Sequence, residues 1–244
     1  MQFSIDIGSI QAASGNPILL IWEVFRNGGW VIAAVLYFIG IPIALIKTYV
    51  SAIQRNYQAS VKYVMLALDI PRLNEQTPKA VEAIFAHLHG VQRSGNLKEK
   101  YLKGYIQPQL SFEIIGIEGQ TQFLIRTPED LRDLVEATVF AQYPDAEITE
   151  VEDYTEFVPD DFVSAGYDMW GADIVPTNDE IYPIRTYPFF EHSLSQSLLD
   201  PMASLLELMG RLGPTEQIWL QMVMTPCDNW LDQAKAAVKK IMGV

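Results

Sequence analysis

Ser111 to Thr127 reads SFEIIGIEGQTQFLIRT. Ser111 to Glu118 and Thr121 to Thr127 are rich in β-branched and aromatic residues, and Glu118-Gly119-Gln120 lies between them. Two such runs flanking a short glycine-containing junction predict two strands of a tight hairpin. Upstream, Val61 to Ile70 (VKYVMLALDI) is a mostly apolar run stopped by Pro71, which reads as a central strand. Thr77-Pro78 then opens a helix, with a hydroxyl N-cap and proline at the first helical position. Val81, Ile84, Phe85 and Leu88 form its expected inner stripe, and Gly90 ends it. Downstream, Thr127-Pro128-Glu129-Asp130 repeats the start signal, with acidic side chains on the positive helix end. Leu131, Leu134, Val135 and Thr138 are the expected inner face of that helix. Pro144-Asp145 ends it, and Ala146 to Tyr154 supplies a fourth strand.

The order βαββαβ predicts an α+β fold of the ferredoxin-like, split βαβ type over residues 51–155. Gly90 to Leu110 is a long connection for so small a domain. It carries Lys98, Lys100, Lys103, Tyr101 and Tyr105, and reads as a functional loop or a concealed extra hairpin. Residues 156–181 are rich in Pro, Gly and Asp around Trp170 and read as a linker. Residues 182–244 read as a second, smaller α+β unit. Tyr182 to Glu191 is its edge strand, with Pro183 and Pro188. A helix follows Asp200-Pro201 with the stripe Met202, Leu205, Leu206, Met209 and Leu212. Gln217 to Thr225 is a strand, and Asp228 caps a last helix with Leu231, Ala234, Val238 and Ile241 inside. Two strands and two helices ending at Val244 read as an incomplete unit, which predicts completion by a further element in this or another chain.

Further out, Gly28 to Ile46 reads GGWVIAAVLYFIGIPIALI, nineteen residues without an ionisable side chain. As a helix it rises about 28 Å, enough to span a hydrocarbon core about 30 Å thick. A transmembrane helix is therefore expected over 28–50, with 1–27 outside. Lys47, Arg55, Lys62, Arg72 and Lys79 follow the run, while only Asp6, Glu23 and Arg26 precede it. The Lys/Arg excess puts the C-terminal part in the cytoplasm and makes this a single-pass protein of the cell (inner) membrane. Trp22, Phe25 and Trp30 on one side, and Tyr49 and Tyr57 on the other, suit the interfacial belts. Ile18, Ile21, Trp22 and Phe25 share one helical stripe, so Pro17 to Asn27 is expected to lie along the outer surface. A cleaved signal peptide fits less well, despite Val50-Ser51-Ala52: the run is too long and its positive charge lies on the wrong side. A buried core helix fits poorly with Pro42 and the missing polar face.

The chain carries a net charge of −13, unevenly spread. Lys47 to Lys103 holds nine basic residues against Asp69, Glu75, Glu82 and Glu99. Glu129 to Glu180 holds sixteen carboxylates and one base, Arg132. Phosphate contact needs clustered Lys and Arg, so direct nucleic-acid binding is not expected. The acidic stretch is read as a solvated face rather than a docking face for a basic partner. Cys227 is the only cysteine, which excludes a disulfide framework or a zinc cluster and agrees with a reducing compartment.

Candidate sites fail on spacing. His87 and His89 are two apart on a helix and face different sides, and His192 stands alone. Glu147, Glu150, Glu152 and Asp153 alternate faces of a strand with no phosphate loop beside them. Ser193, Ser195 and Ser197 lack a nucleophile elbow, and no Gly-x-x-x-x-Gly-Lys-Ser/Thr occurs. Arg126 and Arg185 are expected to pair with carboxylates. Trp219 reads as core and Trp170 as exposed. No catalytic, cofactor-binding or metal-binding residue is assigned, and no cofactor is expected.

Several phrases occur together: Pro71-Arg72-Leu73-Asn74-Glu75-Gln76-Thr77-Pro78-Lys79-Ala80-Val81-Glu82, Ile84-Phe85-Ala86-His87-Leu88, and Arg126-Thr127-Pro128. They are joined by Ala141-Gln142-Tyr143-Pro144-Asp145-Ala146-Glu147-Ile148 and Glu150-Val151-Glu152-Asp153-Tyr154. In these, from about Trp22 onward, the chain resembles a membrane-anchored domain family of unknown function from small-genome, largely uncultivated bacteria. Its members are similar to the N-terminal part, or a neighbour, of type IV secretion and conjugation ATPases of the HerA/FtsK superfamily. The resemblance implies a non-enzymatic membrane anchor and docking module of a translocation apparatus. The implied partners are membrane lipid, a motor ATPase and further copies of the chain. No motor follows in this sequence, so ATP hydrolysis is not carried over, and no functional residue is transferred. A membrane-tethered ligand-binding or sensor domain is the alternative, since ferredoxin-like folds host unrelated functions.

Overall fold

The computed structural model of the protein describes Gly8, Gln11 and residues 15–26, 30–71, 77–178, 181–182, 202–227 and 230–243. Contacts group the chain into two compact units: Met1–Gln58 with Gly95–Ile106, and Ala59–Ser94 with Gln107–Val244.

In the first unit, helix α1 (Pro17–Val24) starts at Asn16, whose Oδ1 accepts from the Ile18 amide at 3.0 Å. Helix α2 (Trp30–Val35) runs through a π-helical turn, Leu36–Gly40, into α3 (Ile41–Ser60). Pro42 explains the wide turn. It lacks an amide hydrogen and its ring crowds the carbonyl one turn earlier, so the backbone loosens just before it. One helix among the described residues, Tyr37–Ser60, is long and apolar enough to cross a membrane. It lies further toward the C-terminus than 28–50, because the helix continues past Lys47 and Arg55 to Ser60. Thr48 supports it locally by donating to the Ala44 carbonyl at 2.9 Å.

Residues 95–106 fold against this helix. The concealed hairpin considered for Gly90–Leu110 is instead a short helix, α5 (Leu97–Leu102), closed by a capping box between Asn96 and Glu99. Gly104 has φ +70°, and a Cβ there would stand 2.3 Å from the Ile53 carbonyl oxygen. Only glycine allows both that backbone and that approach. Beside it the Tyr105 ring meets Tyr57 edge-on, with centroids 5.5 Å apart.

The second unit is one antiparallel five-stranded sheet in the order β4-β1-β3-β2-β5. Its strands are β1 (Tyr63–Asp69), β2 (Leu110–Ile117), β3 (Gln120–Pro128), β4 (Glu147–Val151) and β5 (Gln217–Met224). Helices α4 (Lys79–His89), α6 (Arg132–Gln142), α7 (Ala203–Met209) and α8 (Trp230–Met242) belong to the same unit. β1 is an interior strand, with Leu66 opposite Ile125 on one side and Glu150 on the other. Glu118 and Gly119, at φ 51° and 82°, make the two-residue turn between β2 and β3. Two left-handed residues match the twist of the strands they join.

Alternation along the strands gives the sheet two cores. Leu66, Leu110 and Ile125 pack with Ile84 and Leu88 of α4 and Val135 and Val139 of α6. Met65, Ala67, Ile115 and Leu124 lie on the other face with Tyr154. Met209 of α7, fully buried, covers Gly116 of β2.

Several expectations change. Gln217–Met224 joins the first sheet along β2, pairing Leu110 with Met224 through Ile117 with Gln217, rather than heading a separate unit. An exposed edge of β2 has unpaired amides and carbonyls, and β5 fills it. Thr127 is no helix cap. The β1–β3 ladder runs to the Tyr63–Pro128 pair and the Glu129 amide donates to the Lys62 carbonyl at 2.9 Å, so α6 starts only after a 3₁₀ turn, Glu129–Leu131. With the start displaced, the inner stripe of α6 is Val135, Thr138 and Val139, and Leu134 is exposed. Thr77 makes no side-chain cap either. α4 begins at Lys79, and buries Ala80, Ile84 and Leu88 while Val81 is exposed. The expected strand 182–191 and the Asp228 cap lie outside the described residues, apart from Tyr182.

Candidate functional site

The first candidate is the apolar surface of the Tyr37–Ser60 helix, none of whose most apolar stretch is buried within the protein. Phe38, Ile39, Ile43, Leu45 and Ile46 are all about half or more exposed. Each aliphatic side chain left in water forgoes about 1.5–3 kcal/mol of burial. A surface of this kind suits hydrocarbon rather than water. Beyond Ile46 the character changes: Lys47 and Arg55 are exposed on the same helix, and Arg55 also reaches back to the Ser51 carbonyl at 3.4 Å.

The second candidate is a polar knot on the face of the sheet opposite α4 and α6. Glu113 on β2 is only 4% exposed, and its register partner on β5 is Gln221. Tyr154 sits in a 3₁₀ turn (Tyr154–Phe157) after β4, started by Asp153, whose Oδ1 accepts from the Thr155 amide at 3.0 Å. That turn aims the Tyr154 hydroxyl at the Glu113 carboxylate, to which it donates. Gln221 Nε2 donates to the Tyr154 hydroxyl at 2.8 Å and to Glu113 Oε2 at 3.3 Å. The Tyr154 ring meets Trp219 edge-on at 4.8 Å. Burial raises the Tyr154 pKa well above the ordinary phenol value, and the Glu113 carboxylate raises it further. The phenol therefore stays a donor. Among the described residues no buried side-chain nitrogen or oxygen lacks a partner. The knot ties β2, β5 and the chain after β4 together.

This group was not legible as a unit. Its one local signal is Glu113, a carboxylate between Phe112 and Ile114 in an otherwise apolar run.

The residues weighed from sequence are dispersed. His87 and His89 are exposed on α4, and His89 Nε2 lies 3.0 Å from the Cys227 carbonyl oxygen. Arg132 joins Glu136 at 2.8 Å and also pairs with Glu150. These two carboxylates raise the pKa of the guanidinium. Arg126 lies over the Tyr63 ring at 4.2 Å and 3.7 Å from Asp153. Glu147 and Glu152 face solvent. Trp170 is 87% exposed, whereas Trp219 is partly buried against the second core. Arg185, His192, Ser193, Ser195 and Ser197 lie outside the described residues. Among those described, no group of three or more His, Cys, Asp or Glu is placed to hold a metal ion.

A shallow groove of about 360 Å³ runs along the start of α4, lined by Thr77, Lys79, Ala80, Glu82, Ala83, Ala86 and Gln142. Its Thr77, Lys79 and Glu82 side chains are exposed, so they do not converge on an enclosed ligand. Comparison with family models, curated proteins and solved structures gives no match.

Proposed function

We propose that this protein is a single-pass membrane anchor whose α+β domain docks partner proteins, without catalysing a reaction itself. The observation that carries the reading is the Tyr37–Ser60 helix, apolar and unburied, in the same chain as a folded five-stranded sheet. Only Val61 and Lys62 separate α3 from β1, so whatever α3 enters governs where the sheet domain works. The Lys and Arg excess after Ile46 supports a cytoplasmic sheet domain and an external N-terminus. Within the domain, the order β1-α4-β2-β3-α6-β4 and the strand sequence β4-β1-β3-β2 support a ferredoxin-like relationship, extended by β5. Leu231, Val238 and Ile241 of α8 are more than half exposed, and such apolar surface favours protein contact.

The resemblance to domains near secretion and conjugation motors points to a translocation ATPase as the partner. The full chain, solubilised from membranes, is expected to co-purify with the motor encoded beside it and to hydrolyse no nucleotide alone. Nucleotide turnover by the purified chain, with no motor retained, contradicts the reading. Orientation has its own test in Cys227, which is free and exposed. In intact cells a permeant thiol reagent should label it and an impermeant one should not.

A further inference from the structure

We propose that the 95–106 segment is a lipid-headgroup collar: a basic, apolar-tipped helix that rests on an anionic membrane surface at the C-terminal end of the span. This rests on the anchor reading above and names the surface that the anchor's flank recognises. The Gly104 backbone closes onto the Ile53 carbonyl, and Tyr105 packs on Tyr57, so α5 is held to α3 rather than left as a loop. Ile53 lies seven residues beyond Ile46, the end of the uncharged run, which is about 10 Å along the helix axis. The headgroup layer occupies roughly the first 5–8 Å outside the hydrocarbon. The docking point of the collar thus falls a few ångströms outside that layer, from where lysine side chains reach back to the phosphates.

The chemistry of the segment suits the location. Lys98, Lys100 and Lys103 are exposed on it, and Lys47 and Arg55 are exposed on the helix it packs against. The one carboxylate, Glu99, accepts from the Asn96 amide at 3.0 Å in the capping box. Five positive side chains therefore stand against one engaged carboxylate. Leu97, Tyr101 and Leu102 are 75%, 51% and 67% exposed. At 100° per residue, Leu97, Lys98, Tyr101 and Leu102 fall within an arc of about 140°. The three apolar tips share that arc with Lys98, while Lys100 and Lys103 flank it. Apolar tips bordered by lysines are what an interfacial helix presents to phosphate headgroups and the first methylenes below them. A soluble acidic protein partner would be drawn by the lysines alone and leaves the three exposed apolar side chains unaccounted for.

The test uses the full chain carrying Cys227→Ser, reconstituted in nanodiscs. An environment-sensitive fluorophore is placed either at Leu102→Cys or, within the span, at Ile43→Cys. In discs containing phosphatidylglycerol the Leu102 reporter should be shielded from aqueous iodide, and in pure phosphatidylcholine discs it should be open. Replacing Lys98, Lys100 and Lys103 by Gln in turn should lower the docked-to-free ratio by about fivefold per lysine, the factor that one surface lysine contributes at an anionic leaflet. A Leu102 reporter equally open in both discs, with Ile43 shielded, overturns the collar and leaves the anchor standing. An Ile43 reporter open to iodide overturns the anchor reading, and the collar with it. Shielding of Leu102 in neutral discs on adding inorganic phosphate would mark a small-anion site and also overturn the membrane-surface assignment.

Discussion

β1 and the Tyr37–Ser60 helix have nearly the same appetite for apolar residues and opposite fates. In β1, Met65, Leu66 and Ala67 are at most 6% exposed: Leu66 packs under α4 and α6, and Met65 and Ala67 pack with Ile115, Leu124 and Tyr154 on the other face. In the helix, Leu45 is 64% and Phe38 73% exposed among the described residues. Apolar composition specifies that a segment leaves water, but not where it goes. A short apolar run can hydrogen-bond into a sheet and find its cover inside the fold. A long helical run satisfies its own backbone without a sheet partner, and an apolar surface left uncovered on it suits hydrocarbon.

The sharpest break between the two regions should come from truncating one leucine in each. Leu66→Ala leaves a hole in a core with no exposure and is expected to lower the unfolding free energy of the sheet by about 2–5 kcal/mol. Leu45→Ala should leave that transition within about 0.5 kcal/mol of wild type. Denaturant unfolding of the detergent-solubilised chain, followed by tryptophan fluorescence, reads both. Equal losses would place Leu45 in a protein core and dissolve the contrast.

The reverse experiment puts a charge into the helix. Leu45→Arg should cost about 3 kcal/mol of membrane insertion and reduce the membrane-bound fraction, while the unfolding midpoint of the sheet stays put. A methyl group at Gly116 probes packing on the sheet side alone. Its Cβ would stand 2.8 Å from the Met209 side chain, so Gly116→Ala should destabilise by about 1–3 kcal/mol through overpacking. Thermal melts of the same solubilised chain check it, and a neutral result would detach α7 from the sheet.

The smallest effect concerns the polar knot. Tyr154→Phe removes the hydroxyl from Glu113 while Gln221 still reaches the carboxylate, for an expected loss of about 1–1.5 kcal/mol. The folded pKa of the phenol is raised above its ordinary value of 10.0. Its contribution is therefore fully present below pH 10.0 and is lost as pH climbs toward the folded value. Wild type should lose stability more steeply than Tyr154→Phe above pH 10.0. Parallel curves would show that the hydroxyl is not held neutral by the fold.

What was legible in the chain depended on whether a local pattern decided the outcome. β1 and the β2–β3 hairpin read correctly because continuous apolar runs and Glu118-Gly119 are local signals. The position of β5 did not, because its apolar run says that it is a strand and not which edge it joins. The α6 start was misplaced by the Thr127-Pro128 motif: the ladder with β1 held those residues in a strand and moved the helix start to Arg132, while Val135 and Thr138 of the expected stripe are buried and Leu134 is not. α5 was hidden because six residues are too few for helical periodicity to emerge. Glu113 carried no reading of its own, since nothing near it in sequence announces that Tyr154 and Gln221 arrive from 41 and 108 residues away.

The most direct measurement is alkaline carbonate extraction of membranes from cells expressing the full chain, followed by detection of the protein in pellet and supernatant. An anchor formed by Tyr37–Ser60 predicts that the chain stays in the pellet and is released only by detergent, because exposed aliphatic side chains are held by hydrocarbon and not by charge. Recovery of the folded chain in the carbonate supernatant would contradict it.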